Sequence, residues 1–265
     1  MRFRTRSIIP NLLTLANLFS GIASILAAAE GEFMKAGLFI LSGAFFDAID
    51  GIAARITNAA SDFGVELDSL CDAVTFGVAP SILMYYAFYK DFGNFGLVLS
   101  SLQALLGVLR LARFNVELTS LEDKEYFKGL PIPGAALFIG AFVMTYFTGA
   151  DDIDFEFISR NKESVLVALS IAVPLLMVSN IKFENLPRPT PKGIKTHPIL
   201  FSFFILGLIL LFVFGVEIVF PLFGAFVIFG TIRQFIFWIS SKSDPEEEVD
   251  MSQEAIDSNK APFEF

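Results

Sequence analysis

Apolar residues in this chain come in long runs, at about 10–29, 32–55, 63–89, 94–115, 131–148, 163–182, 198–215 and 217–240, separated by short polar or Gly/Pro-marked breaks. Most of these runs approach the roughly 20 residues that an α-helix needs to cross a ~30 Å hydrocarbon layer. The pattern predicts an all-α fold, a polytopic transmembrane helical bundle of about eight helices. The tight break at Gly215, Val216 and Glu217 also allows the last two runs to be read as one broken element. The first run carries Asn11, Thr14 and Asn17 and lacks a small-residue cleavage site, so it is expected to persist as a span and not to be removed as a signal.

Composition strengthens that reading. Of 265 residues 54% are apolar and 32 are phenylalanine, and the mean hydropathy is +0.65, more oil than one soluble domain can hide. The formal charge of −9 is concentrated at one end. From Ser243 to Phe265 eight acids stand against Lys260 alone, which puts −7 in that stretch and −2 in the rest of the chain. A segment so charged has too little apolar surface to offset its ordering entropy, so 243–265 is expected to be a disordered, acidic cytosolic tail. Nucleic acid is excluded as a natural partner for such a charge balance. Cys71 is the sole cysteine and His197 the sole histidine, which rules out an internal disulfide and a zinc-type Cys/His cluster.

Orientation follows from lysine and arginine, which are retained on the cytosolic side. With the N-terminus inside, fifteen of the nineteen fall on the inner side, and only Lys35, Lys90, Arg160 and Lys162 lie outside. The second helix then runs inward and the third outward. Their connection, 56–61, lies at the cytosolic face of what is expected to be the cell membrane.

Unusual acids converge on that connection. Asp47 and Asp50 lie near the inner end of the second helix, Asp68 and Asp72 in the first turns of the third. Spacings of three and four put each pair on one helix face, and the hairpin brings the two faces together. An aspartate at mid-membrane costs about 2.5–3.5 kcal/mol, so four cost on the order of 10 kcal/mol, less near the interface. Mutual repulsion adds to this, and Arg55 neutralises only one charge. Two divalent cations such as Mg2+ or Mn2+ would balance four hard carboxylate groups. Ser61 and Asp62 read differently, as the N-cap region of the third helix.

In order, Asp47, Asp50, Gly51, Ala54, Arg55, Gly64, Asp68 and Asp72 spell D-x2-D-G-x2-A-R-x8-G-x3-D-x3-D without a departure. The chain thereby resembles the CDP-alcohol phosphotransferase family. The resemblance covers a six-helix catalytic core over residues 1–185, with two additional helices over 186–242. It implies transfer of a phosphatidyl or similar group from a CDP-linked lipid to an alcohol, with release of CMP. Asp47, Asp50 and Asp68 would then hold metal. Asp72 would complete the metal shell, act as the base that takes the acceptor's hydroxyl proton, or do both. Gly51, Ala54, Arg55 and Gly64 would line the cytidine and phosphate site, and Asn11, Thr14 and Asn17 on the first helix are placed to meet the donor. The resemblance also implies a homodimer.

The stretch Arg110 to Asn115 and the stretch Phe127 to Gly134 resemble the serine-using, phosphatidylserine synthase branch of that family. Arg110 or Arg113 would clasp the serine carboxylate or the donor diphosphate, and Lys128 the diphosphate from its loop. The donor would be CDP-diacylglycerol or, in a source with ether lipids, CDP-archaeol. Two other readings stay open at this level: a sibling enzyme using glycerol 3-phosphate or an inositol phosphate, and a divalent-cation transporter, which would also place acids between helices.

Overall fold

A computed structural model describes residues 8–57, 61–118, 126–148, 156–184, 220–222 and 224–225. Helices α1 (Ile8–Ala29) and α2 (Phe33–Ile56) form a tight hairpin. The third span is composite: α3 (Asp62–Asp72), a π-helical segment (Ala73–Val78) and α4 (Ala79–Ala87). A 3-10 turn (Tyr89–Phe92) leads into α5 (Gly93–Leu118). After a short strand β1 (Tyr126–Lys128) come α6 (Ile132–Phe147), the short α7 (Glu156–Arg160), α8 (Lys162–Val178) and strand β2 (Lys182–Glu184).

Four stretches, Ile8–Ala29, Phe33–Ile56, Asp62–Ala87 and Tyr89–Val116, are long and apolar enough to cross a membrane, and Ile132–Phe147 is a shorter apolar helix. The molecule is a multi-pass helical membrane bundle. The burial pattern of α1 fits that solvent. Its exposed face carries Leu12, Leu15, Phe19, Ile22 and Leu26, whereas its buried face carries Thr14, Asn17, Ser20, Gly21, Ser24, Ala27 and Ala28. Lipid tails leave no hydrophobic reason to bury large side chains, so small and polar residues take the helix–helix contacts and set the backbones close. Thr75 shows how close. Side chains at Gly21 and Gly43 would each come within 2.5 Å of it, so both helices of the hairpin must present glycine there.

The expected third helix, 63–89, is present as one continuous span, Asp62–Ala87, but not as a regular α-helix. Pro80 has no N–H to give to the carbonyl four residues back, that of Phe76. Gln103 of α5 donates to that carbonyl instead, Nε2 to O at 3.1 Å. One residue on, Ser81 Oγ donates to the Gly77 carbonyl at 3.0 Å and accepts the Ala104 N–H at 3.0 Å. The widened turn is therefore satisfied by a neighbouring helix, as a break inside a bilayer requires.

The sixth helix ends earlier than expected, at Val178 and not 182: it runs through Pro174 and stops where Ser179 turns extended, with ψ 162. The following residues form β2, which pairs antiparallel with β1, Phe127 opposite Phe183. The sequence pattern did not anticipate this ribbon. Gly129, at φ 81, donates its N–H to Ile181 O at 2.8 Å, and Leu130 N donates to Leu176 O at 3.1 Å. A side chain at Gly129 would collide with the Met177 carbonyl, so glycine is required by both conformation and space. The expected helices over 198–215 and 217–240 and the acidic tail lie outside the described residues, apart from a helical fragment around Phe220. There the Phe220 ring stacks on Phe138 with centroids 5.3 Å apart and also meets Phe142 and Tyr146.

Candidate active site

The site begins with the way α3 is launched. Ser61 Oγ accepts the Gly64 N–H at 3.1 Å, capping the helix as its sequence suggests, and Asp62 beside it is exposed. From that start Asp68 and Asp72 fall one turn apart on the side facing α1 and α2. Asp47, Asp50 and Asp68 each bring a carboxylate oxygen to within 4.8 Å of the others. Asp50 Oδ2 and Asp68 Oδ1 are buried without a hydrogen-bond partner. None of the four acids is salt-bridged to a described lysine or arginine. Buried anionic oxygens left open like this are expensive unless a cation completes them.

Asp72 lies beside this trio, one turn beyond Asp68. It is 7% exposed, and its Oδ1 accepts a hydrogen bond from Asn17 Nδ2 at 3.0 Å. Asp47, Asp68 and Asp72 all face a cavity of about 390 Å³, which Arg110 and Asn115 of α5 also line. Pro131, Ile132 and Pro133 at the start of α6 form a further wall. Arg110 is 7% exposed, and its Nε is buried with no partner. The cavity thus carries acids on one flank and a desolvated cation on another. Further along the third span Thr75, Phe76 and Leu83 are fully buried, and packed side chains fill the interior there.

Residues 7–240 match the family model described as CDP-alcohol phosphatidyltransferase. The chain belongs to that family. It is 36% identical over 224 residues to the CDP-diacylglycerol–serine O-phosphatidyltransferase of Helicobacter pylori, covering 84% of this chain and 90% of that protein. It is 34% identical over 189 residues to the protein of the same description from Bacillus subtilis, covering 71% of this chain and 96% of the relative. An archaeal relative, the archaetidylserine synthase of Methanothermobacter thermautotrophicus, is 38% identical over 190 residues, 71% of this chain and 73% of that protein.

Within this phosphatidyltransferase the residues singled out by the sequence fall into three groups. Asp47, Asp50, Asp68 and Asp72 meet at one end of the bundle. Gly51 and Gly64 lie at the same end. A side chain at Gly51 would meet nothing nearer than Arg55 Nη2 at 3.8 Å, so its backbone is open, and one at Gly64 would sit 3.9 Å from Asn11 Oδ1. Ala54 is half-buried and Arg55 exposed.

The polar residues of α1 divide. Asn11 stays beside Gly64. Thr14 is buried, donates to the Pro10 carbonyl at 3.1 Å and neighbours Asp50. Asn17 turns to Asp72. The basic residues divide as well. Arg110 faces the cavity, while Arg113 Nη1 donates to the Val178 carbonyl at 3.0 Å, which ties α5 to the end of α8. The Lys128 side chain lies outside the described residues.

Ser69 and Asn115 were not singled out, yet both line the cavity and bond each other. Asn115 Nδ2 donates to Ser69 Oγ at 2.9 Å. The available signal was their position, Ser69 next to Asp68 and Asn115 one turn beyond Arg110 and Leu111.

Proposed function

We propose that this chain transfers a phosphatidyl group from CDP-diacylglycerol, or its dialkyl counterpart from CDP-archaeol, to the hydroxyl of L-serine and releases CMP. The observation that carries the reading is a carboxylate trio with open oxygens beside a cavity shared by Asp72 and the buried cation Arg110. The descriptions of the relatives favour serine, and the intact family motif favours the CDP-lipid donor.

The donor set fits a divalent cation: the oxygens are hard, mutually close and unsatisfied. Asp47, Asp50 and Asp68 would hold it, with Asp72 able to share a second ion. When bound, such ions neutralise the diphosphate and acidify the acceptor hydroxyl. The chain supplies the rest. Gly51 leaves backbone open for the nucleotide half of the donor, with Gly64, Asn11 and Arg55 at its edge. Arg110 takes the serine carboxylate and turns the hydroxyl toward Asp72.

The serine oxygen bonds to the lipid-side phosphorus as the bond from that phosphorus to the bridging oxygen breaks. CMP leaves with the bridging oxygen, and Asp72 receives the hydroxyl proton. No covalent enzyme intermediate is needed. The distribution of lysine and arginine supports a site on the cytosolic side of the cell membrane, where the donor's nucleotide meets water while its chains stay in lipid. A homodimer belongs to the same proposal and rests on resemblance, and cross-linking in vesicles tests it.

The deciding experiment measures CMP release by the purified protein in vesicles with Mg2+ or Mn2+, offering serine, glycerol 3-phosphate or an inositol phosphate. Serine is expected to support turnover. Activity with glycerol 3-phosphate and none with serine would reject the assignment. Parallel runs with CDP-diacylglycerol and CDP-archaeol identify the lipid.

A further inference from the structure

Asn17 is expected from its sequence to touch the donor, yet the structure gives it another task. It is 0% exposed and does not line the cavity, so no ligand can reach it without rearrangement. Its Nδ2 is committed to Asp72 Oδ1 at 3.0 Å. An amide facing a carboxylate must present its N–H end, since the oxygen end would repel it. The backbone at this position is also held: Thr75 Oγ1, from the π-helical segment directly after Asp72, donates to the Asn17 carbonyl at 3.0 Å. Two hydrogen bonds therefore join one residue of α1 to both ends of the turn 72–75. The fit leaves no slack, because a side chain at Gly43 of α2 would stand 3.0 Å from Asn17 Oδ1.

The consequence concerns the carboxylates. Asp47, Asp50 and Asp68 converge, while Asp72 lies outside their trio and has one oxygen occupied by an amide. We infer that Asn17 is the positioning residue of Asp72. It holds one carboxylate oxygen and leaves the second directed into the cavity, at the acceptor hydroxyl. This deepens the phosphatidyltransferase reading and rests on it. A freely rotating Asp72 would spend part of its time turned away from the acceptor, and a base must be within hydrogen-bonding reach to act.

The test is a kinetic split. In Asn17→Ala, kcat is expected to fall by about 10–100-fold, the usual effect of losing a group that orients a site residue. KM for CDP-diacylglycerol and for the alcohol should stay within about two-fold, since only a transition-state interaction is lost. In an Asp72→Asn background, Asn17→Ala should cost no further factor, because the group it positions is already disabled. Asn17→Asp, nearly isosteric but facing Asp72 with a second carboxylate, should lose at least as much kcat and keeps the test readable where the alanine variant does not fold.

A rise of tenfold or more in KM for CDP-diacylglycerol with kcat intact would make Asn17 a donor ligand and overturn the inference, as would an equal loss from Asn17→Ala with and without Asp72. The acceptor is settled first on the unaltered protein. If another alcohol supports turnover in place of serine, the serine assignment fails by itself, and the Asn17 comparison is run with that alcohol.

Discussion

The two halves of the third span, joined at the π-helical turn, obey different rules. On the α4 side Ala79, Leu83 and Met84 are fully buried, and Ser81 both donates and accepts. On the α3 side Asp68 keeps a buried oxygen without a partner and Leu70 is exposed. The same helix thus shows that this fold can satisfy awkward polar atoms when stability is what matters. The one unsatisfied oxygen of α3, on Asp68, is left open at the site proposed to receive a cation.

Four measurements test that contrast. The largest effect is expected from Asp72→Asn, which removes the proposed proton acceptor and should lower kcat by about 10²–10⁴-fold, with CDP-lipid and metal binding largely preserved. Near-normal turnover in this variant would take Asp72 out of the base role. Next come Asp47→Asn and Asp68→Asn. Each should weaken Mn2+ binding, read by titration calorimetry, by more than the roughly 10–100-fold typical of residues that only support a metal ligand. Unchanged affinity in both would separate the acid trio from metal.

Arg110→Ala follows. Losing a charge-assisted contact of about 1.5–3 kcal/mol should raise KM for serine by about 10–100-fold and leave KM for CDP-diacylglycerol nearly unaltered. A selective loss of donor affinity would assign Arg110 to the diphosphate. The smallest effect belongs to the α4 side. Gln103→Leu strands the Phe76 carbonyl and should destabilise the protein by about 0.6–1.7 kcal/mol, the scale of interhelical hydrogen bonds in membranes. Unfolding in detergent measures it, and kcat of the folded fraction should barely change. A large loss of kcat there would mean that the two halves are not separable.

The sequence made most of the architecture legible, because hydropathy marks spans and three- and four-residue spacings mark helix faces. For the same reason Asp47, Asp50, Asp68 and Asp72 were identifiable as one group of four from their positions alone, though not which three would draw tightest. What stayed hidden depends on partners far along the chain. Pro80 announces a fault in a helix, but not that Gln103, on the next span, repairs it. Asn17 is 55 positions from Asp72, and its polarity on α1 suited a donor contact equally well. Arg113 reads like a second anion binder beside Arg110, yet its guanidinium is bonded to a helix end. The β1–β2 ribbon escaped because three-residue strands carry too short an alternation to stand out from a loop.

That ribbon sets a minimum length for the working enzyme. The wall of the cavity at Pro131–Pro133 follows directly on Gly129 and Leu130, whose N–H groups are anchored to Ile181 and Leu176. A version of the protein trimmed back to the close of α8 would keep the four site aspartates and the Leu176 anchor and still lose Ile181 and β2, the other half of the strut behind this wall. Any attempt to pare the chain down to its catalytic essentials must therefore retain residues through at least Glu184.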